Sequence, residues 1–298
     1  KIDKPLEEIM AEERERNLRY QIMESTRQAH WIPYFGLQQE LDWLRKMSDW
    51  MISKKRYWGL ALPIWECREC GTFEVIGGEE ELRALAVEGW GEFEGHTPHR
   101  PWIDKVKIKC KNCGSIVSRI PDVGNPWLDA GIVSFSTLGY RQDRSYWEKW
   151  FPAELICESL AGQFRNWFYS MLAMSTIMVR RTPFLTCLGH GKVLAEDGRE
   201  MHKSWGNAIW FDDAIDTMGA DVMRWMYCTN KPETDMLFGY KRAEEVKRDF
   251  FLLLWNIYSF FVTYANLDNW RPGKDVRAYS QLDLWMSSRL QVLIEDTT

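Results

Sequence analysis

The stretch Pro183-Phe-Leu-Thr-Cys-Leu-Gly-His-Gly-Lys-Val-Leu-Ala-Glu-Asp-Gly-Arg-Glu-Met-His-Lys-Ser-Trp-Gly-Asn207 decides how the rest of the chain is read. Its opening residues, Pro183 to Leu188, form an apolar run short enough to be a buried strand. Beyond it, Phe211-Asp-Asp-Ala-Ile-Asp-Thr-Met218 reads as a helix with acidic residues in its first turn. Everything between is therefore a loop leaving a strand. Loops at the carboxyl ends of parallel strands are where open α/β sheets bind ligands, and a lysine beside a serine and glycines can reach phosphate oxygens there. Lys203 is the candidate charge. The plain alternative is a solvated turn whose lysine does nothing.

Working backwards, Trp150-Phe-Pro-Ala-Glu-Leu-Ile-Cys-Glu-Ser159 gives another short strand, running into one helix over 160–178. Strand, turn and helix make half of a nucleotide-binding α/β layer. Further back, Trp31-Ile-Pro is an extended piece that passes into helix from about Leu37 and ends in the basic, aromatic loop Trp50-Met-Ile-Ser-Lys-Lys-Arg-Tyr-Trp-Gly59. Its three consecutive cations, Lys54, Lys55 and Arg56, suit either phosphate contacts or a solvated turn. Lys4 to Arg27 has helical composition, with Leu6, Ile9 and Met10 and then Leu18, Ile22 and Met23 at roughly helical spacing, which predicts one or two amphipathic helices. Downstream, Lys241 to Tyr264 reads as one long helix, and a second begins near Gln281.

Cys67-Arg-Glu-Cys70-Gly and Cys110-Lys-Asn-Cys113-Gly are two matched knuckles. Each presents two thiolates to one metal while the glycine allows the tight turn behind them, and four such ligands complete the tetrahedral shell of a structural zinc. The residues between the knuckles, with a helix-like run from Glu79 to Glu88, form an insertion. His96 and His99 read as surface or packing residues rather than further ligands.

At 298 residues the chain is long enough for two domains, and 45% hydrophobic with 27% charged residues is ordinary globular composition. A net charge of −5 argues against a protein wrapped by nucleic acid but allows a local basic face, so a nucleic-acid partner stays open. Lys1 to Arg19 is too charged for a signal peptide, and the most apolar run, Phe250 to Val262, is shorter than a membrane span. Paired cysteines suit metal in a reducing compartment. The sequence thus predicts a cytoplasmic protein with no membrane partner.

Met201-His-Lys-Ser-Trp-Gly-Asn207, preceded by His190-Gly-Lys-Val-Leu and Asp197-Gly, resembles the KMSKS signature of class I aminoacyl-tRNA synthetases. Glu200 stands where the family has its first lysine and His202 where it has serine. The resemblance implies that Lys203, with Ser204 beside it, contacts the phosphates of ATP during amino-acid activation, and that adenine rests near His190 and Gly191. The basic loop and the following Leu60-Ala-Leu-Pro-Ile-Trp65 resemble the W-x-I-S-R-x-R-x-W-G-x-P-I-P segment of the isoleucyl, valyl and leucyl branch, which places Lys54, Lys55 and Arg56 on the tRNA side. Arg119 to Gly131 resembles the D-V-W-F-D-S-G segment, keeping Trp127, Asp129 and Gly131; residue by residue it reads as a Pro/Gly turn. Glu158, Gln163, Arg165, Trp167 and Phe168 match E-G-x-D-Q-x-R-G-W-F, with Gly162 for the aspartate and Asn166 for the glycine. This implies that Glu158, Gln163 and Trp167 grip the amino acid and its adenylate. Gly219, Asp221 and Arg224 match a G-A-D-x-x-R turn at a domain junction.

The implied fold is α/β: half of a Rossmann-like nucleotide-binding domain with a zinc-ribbon insertion, followed by an α-helical bundle segment. Residues 1–36 become connecting helices after an absent editing domain. Residues 37–218 become the second half of the catalytic domain, with the insertion at 66–118, and 219–298 the start of a helical anticodon-binding domain. The implied activity is activation of isoleucine by Mg-ATP to isoleucyl-adenylate and transfer to tRNA, with valine as the alternative amino acid. A non-catalytic, zinc-containing tRNA-binding module derived from a synthetase is the reading from another class. No P-x-x-N-G-x-x-H-x-G-H string occurs, so a missing N-terminal half is an expected partner, and the chain alone is expected not to activate amino acid.

Overall fold

A computed structural model describes residues 6–273 and 280–298, and the helical start expected at Lys4 lies outside them. The chain forms two compact units, Lys1–Leu194 with Asn230–Met236, and Ala195–Thr229 with Leu237–Thr298. The boundary expected at 218/219 falls inside the second unit.

The first unit opens with α1 (Ala11–Arg16) and α2 (Leu18–Arg27). Asn17 separates them because its backbone is extended, and its side chain caps α2 by accepting from the Arg19 N–H at 3.0 Å. Next come β1 (His30–Ile32) and α3 (Phe35–Lys46), then β2 (Ser53–Lys54) in the basic loop. The insertion is built from β3 (Ile64–Glu66), β4 (Phe73–Val75), α4 (Glu79–Leu85), β5 (Ala86–Glu88), α5 (Trp90–Phe93), β6 (Lys107–Lys109) and β7 (Ile116–Ser118). The helix expected to reach Glu88 stops at Leu85, because Ala86 to Glu88 pairs antiparallel with β6. Tertiary pairing has overridden local helical composition there.

After β8 (Val123–Gly124), which pairs with β2, the segment read as a Pro/Gly turn is instead α6 (Pro126–Gly131). Asn125 caps it by accepting from the Trp127 N–H at 3.0 Å, and Pro126 stands at its first position, where a missing N–H costs nothing. Then come α7 (Val133–Ser136), α8 (Arg144–Trp150), β9 (Ala153–Ser159), α9 (Leu160–Gln163), α10 (Trp167–Val179) and β10 (Phe184–His190). The single helix expected over 160–178 is broken, since Asn166 departs from helical geometry at φ −118°, ψ −100°.

Strands β1, β10 and β9 make a parallel three-stranded sheet in that order, with His190 opposite Ser159 and Gly189 opposite Glu158. The β9–α10–β10 passage is thus a strand–helix–strand crossover. The core on one side of this sheet centres on Trp31. Its ring lies 6.1 Å from Phe164 and 5.8 Å from each of Phe168 and Phe184, and its indole N–H donates to the Thr26 carbonyl at 3.1 Å. Ile32 and Leu155 stay exposed. Among the described residues, no helix covers them as fully as Trp31 is covered.

The second unit holds α11 (Phe211–Met218), α12 (Ala220–Cys228), α13 (Tyr240–Val246), a π-helical turn (Lys247–Phe251), α14 (Leu252–Leu267) and α15 (Gln281–Thr297). Ser280 and Asp283 close a capping box at the start of α15, where a helix was expected. Trp225 of α12 stacks on Phe250 at 3.7 Å. From Tyr240 to Leu267 the helical run is continuous over 28 residues and, by length and composition, long enough to cross a membrane. The expectation of a run too short for that is corrected, because helix continues past Val262 to Leu267. No residue of α14 is buried.

Candidate functional site

At the carboxyl ends of the parallel strands the first unit gathers Glu158, His190 and Gly191. The Glu158 carboxylate accepts from the Ser159 N–H at 2.7 Å, and His190 Nδ1 lies 2.7 Å from the Gly191 carbonyl. A side chain at Gly191 would run into the Thr234 backbone, 2.4 Å from where its Cβ would sit, so only glycine fits this strand exit. Gln163 and Trp167 are close by in sequence but already engaged. The Gln163 amide oxygen caps the Trp167 N–H at 3.1 Å, and the Trp167 indole donates to the Ala130 carbonyl at 3.2 Å.

Lys203 and Ser204 lie in the second unit, on a short 3₁₀ turn (Lys203–Trp205) that ends at Gly206 in the left-handed region. Asn207 closes this loop. Its Oδ1 accepts from the His202 N–H at 2.9 Å and its Nδ2 donates to the Glu200 carbonyl at 2.9 Å. The two residues that depart from the family signature meet each other, His202 Nε2 standing 3.4 Å from the Glu200 carboxylate. Lys203 is exposed, and its ammonium sits 4.4 Å from the centroid of the Trp210 ring. Neither Asn207 nor Trp210 was singled out from sequence. The Asn is part of the quoted stretch and was legible there; nothing marks Trp210.

In the basic loop Lys55, Arg56, Tyr57 and Trp58 are exposed and Lys54 is half-buried on β2. Arg100 reaches over from the insertion. Its guanidinium lies 4.9 Å from the Tyr57 ring centroid and donates to the Arg56 carbonyl at 3.4 Å, while Asp104 holds its Nε at 2.7 Å. Charge and open aromatic surface thus share one loop.

The four cysteines converge. All Sγ atoms of Cys67, Cys70, Cys110 and Cys113 lie within 4.8 Å of one another, with Cys67 and Cys113 at 3.4 Å and Cys70 and Cys110 at 3.6 Å. Thiolates tetrahedral about one ion at about 2.3 Å stand about 3.8 Å apart, so the donor set fits a single metal. The knuckles are near copies: Cys67 N–H donates to Thr72 and Cys110 N–H to Ser115, both at 2.8 Å, and Gly71 and Gly114 turn the chain at φ +72° and +80°. The Thr72 hydroxyl, then Asn112, brings the Cys70 thiol down to about 5, and Thr72 also lowers Cys110. Cys67 goes the other way, to about 11; the Cys70 N–H favours its thiolate, but burial and the adjoining Cys113 thiol count against it. His96 is no part of the cluster and stacks flat on Trp102 at 3.7 Å.

The family profile "tRNA synthetases class I (I, L, M and V)" matches residues 12–238. The isoleucine–tRNA ligase of Methanothermobacter thermautotrophicus is 38% identical to this chain, over 87% of it and 25% of the relative. Those of Saccharolobus solfataricus and Thermus thermophilus are 37% and 38% identical, over 89% and 93% of this chain and 27% of each relative. The chain thus spans about a quarter of the length of the curated relatives it matches. A crystal structure of the ternary complex of Agrobacterium radiobacter K84 agnB2 LeuRS with tRNA and LeuAMS aligns at a TM-score of 0.49 and 21% identity, over 68% of this chain and 27% of that one. With a family profile running from the first amphipathic helix through the lysine loop, the chain belongs to the class I tRNA synthetases (I, L, M and V).

Proposed function

We propose that this chain is the second half of the catalytic domain of an isoleucine–tRNA ligase, followed by the start of a helical anticodon-binding domain. The activity in which it takes part is formation of isoleucyl-adenylate from isoleucine and Mg-ATP and transfer of the acyl group to tRNA. The likeness to isoleucine–tRNA ligases over nearly the whole chain carries this reading. The parallel strands and their crossover supply the Rossmann-like frame, and the strand-end residues His190 and Gly191 are assigned to adenine. Glu158 has a side chain half-open at the strand end and is assigned to the amino acid. Gln163 and Trp167, held by their own hydrogen bonds, shape that pocket's wall.

Lys203 supplies positive charge to the phosphates as negative charge builds on the leaving pyrophosphate, with the Ser204 hydroxyl beside it. Both side chains are exposed, so the loop presents them to a polyanion. The insertion takes one zinc on Cys67, Cys70, Cys110 and Cys113, which has a structural role because all four ligands are protein. Lys54, Lys55 and Arg56 take phosphates of the tRNA acceptor end, beside exposed Tyr57 and Trp58 on which unpaired bases can stack. Four cysteines grouped for a metal suit the reducing cytoplasm. By this reading the chain alone, with phosphates gripped by one lysine loop, does not activate amino acid.

The test is ATP–pyrophosphate exchange by the complete enzyme. Lys203→Ala should slow it by a factor on the order of a hundred or more with a smaller change in the KM for ATP, as befits charge stabilisation made mostly in the transition state. Equal loss in ground-state ATP binding and in rate sinks the assignment.

A further inference from the structure

Trp210 has no place in the proposed chemistry, yet its ring lies against the Lys203 ammonium. Its ring centroid lies 4.4 Å from the Lys203 ammonium, and the ring is otherwise open, with 56% of the residue exposed. The two partners differ in stiffness. Trp210 is the N-cap of α11, with its carbonyl accepting from the Ala214 N–H at 2.9 Å, so its backbone is fixed by a helix. Lys203 carries its charge on a flexible stem, whose rotamer freedom is lost on docking. The backbone between them is held as well, by Asn207 bridging His202 and Glu200 and by the left-handed turn at Gly206. Glu200, the carboxylate that stands within the lysine loop, lies against His202.

We infer that Trp210 is a positioning residue for Lys203, its ring restraining the ammonium on one side while the remaining N–H groups face a polyphosphate. An ammonium has three donors and an aromatic face attracts the cation without consuming a lone pair, so ring and phosphate oxygens can be served together. The restraint raises the fraction of time the charge spends in one place. For an exposed cation–π contact the gain in phosphate affinity is on the order of threefold. The inference rests on the reading of Lys203 as a phosphate-contacting group, while the contact itself does not.

The experiment is NMR of the chain with ¹³C-labelled lysine, the Lys203 signal being assigned by its loss in Lys203→Arg. A ring current from Trp210 should shift the Lys203 ε-methylene upfield. Trp210→Leu should return it to the position of a solvated lysine, and Trp210→Phe should keep part of the shift. Titration with magnesium pyrophosphate should then move the wild-type signal, with Trp210→Leu needing about three times as much for half the change. If Trp210→Leu disturbs α11 by circular dichroism, Trp210→Phe replaces it, with a smaller increase expected. A wild-type ε-methylene without an upfield shift overturns the contact, whatever Lys203 does with phosphate. An upfield signal that pyrophosphate never moves overturns the phosphate reading of Lys203, and the positioning role with it, while the contact stands. Equal pyrophosphate requirements in wild type and the folded Trp210 variants overturn positioning alone.

Discussion

The insertion around Trp65 and the helix α14 are both rich in large apolar side chains, and the chain treats them in opposite ways. Trp65, Phe93, Val106 and Ile108 are at most 1% exposed, in a cluster that also takes in Cys67 and Cys110. In α14, Trp255, Ile257 and Phe260 are each at least 64% exposed. The insertion closes on itself because short hairpins from both ends of a 50-odd-residue segment can meet, and a shared metal would hold them there. A single helix cannot close on itself. Its stripe stays open until another element covers it. Apolar content therefore says that a surface will be buried somewhere, while topology decides whether this segment can do the burying alone.

The largest test of that contrast removes the metal. Zinc-finger peptides gain about 10–16 kcal/mol from their ion at neutral pH, so Cys110→Ala should abolish stoichiometric zinc and unfold the insertion locally. Hydrogen exchange should report lost protection at Gly71 and Gly114 while the amides of β10 and α10 keep theirs. A variant that retains full zinc by elemental analysis contradicts the ligand set. Next in size is Trp65→Ala. The indole is 1% exposed and donates to the Val106 carbonyl at 3.0 Å. Its loss should cost about 3–5 kcal/mol in denaturant unfolding of the insertion, with no change in zinc content. A loss under about 1 kcal/mol would show that the metal and not the core holds this segment.

Much of this was legible in the sequence. Two C-x-x-C-G knuckles carry their own geometry, and the run from Pro183 to Leu188 could only be a short buried element. The failures share a cause in pairing and capping beyond the local window. Ala86 to Glu88 has helical composition but meets β6, and Asn125 turns what reads as a loop into the start of α6. At Asn166 an apolar pattern ran on while the backbone did not. In the lysine loop the charge was visible and its partner was not, because a tryptophan seven residues from the lysine has no pattern to announce it.

Glu40 gives a third case, the full burial of an ionisable group. It is fully buried on α3, and among the described residues neither carboxylate oxygen has a hydrogen-bond partner. Burial raises its pKa well above the ordinary 4.5. The sign follows from proton counting. Above about pH 4.5 the folded state holds a proton that the unfolded chain releases, so wild-type stability falls as pH rises toward the folded pKa. Glu40→Met removes both the buried polar atoms and this slope. It should stabilise the first unit by about 1–3 kcal/mol at neutral pH, and by less at pH values near and below 4.5. A variant whose advantage is independent of pH would show that the carboxyl keeps an ordinary pKa.

The smallest effect belongs to α14, and its smallness is the point. Ile257 is 69% exposed, so exchanging it for a long polar side chain removes little that folding of this chain has buried. Ile257→Lys should change unfolding free energy by no more than about 0.5 kcal/mol, roughly a tenth of the Trp65→Ala cost. Helix propensity does not oppose the change, since lysine is at least as good a helix former as isoleucine. What the substitution should alter is association. A continuous apolar stripe in water gathers other apolar surface, and one charge in its middle makes that contact costly. Light scattering of the chain across a concentration series should therefore show less self-association for Ile257→Lys, at equal thermal stability. If the variant instead unfolds several degrees earlier, Ile257 is packed inside the second unit in solution, and α14 is a buried core helix like α10 rather than an open stripe.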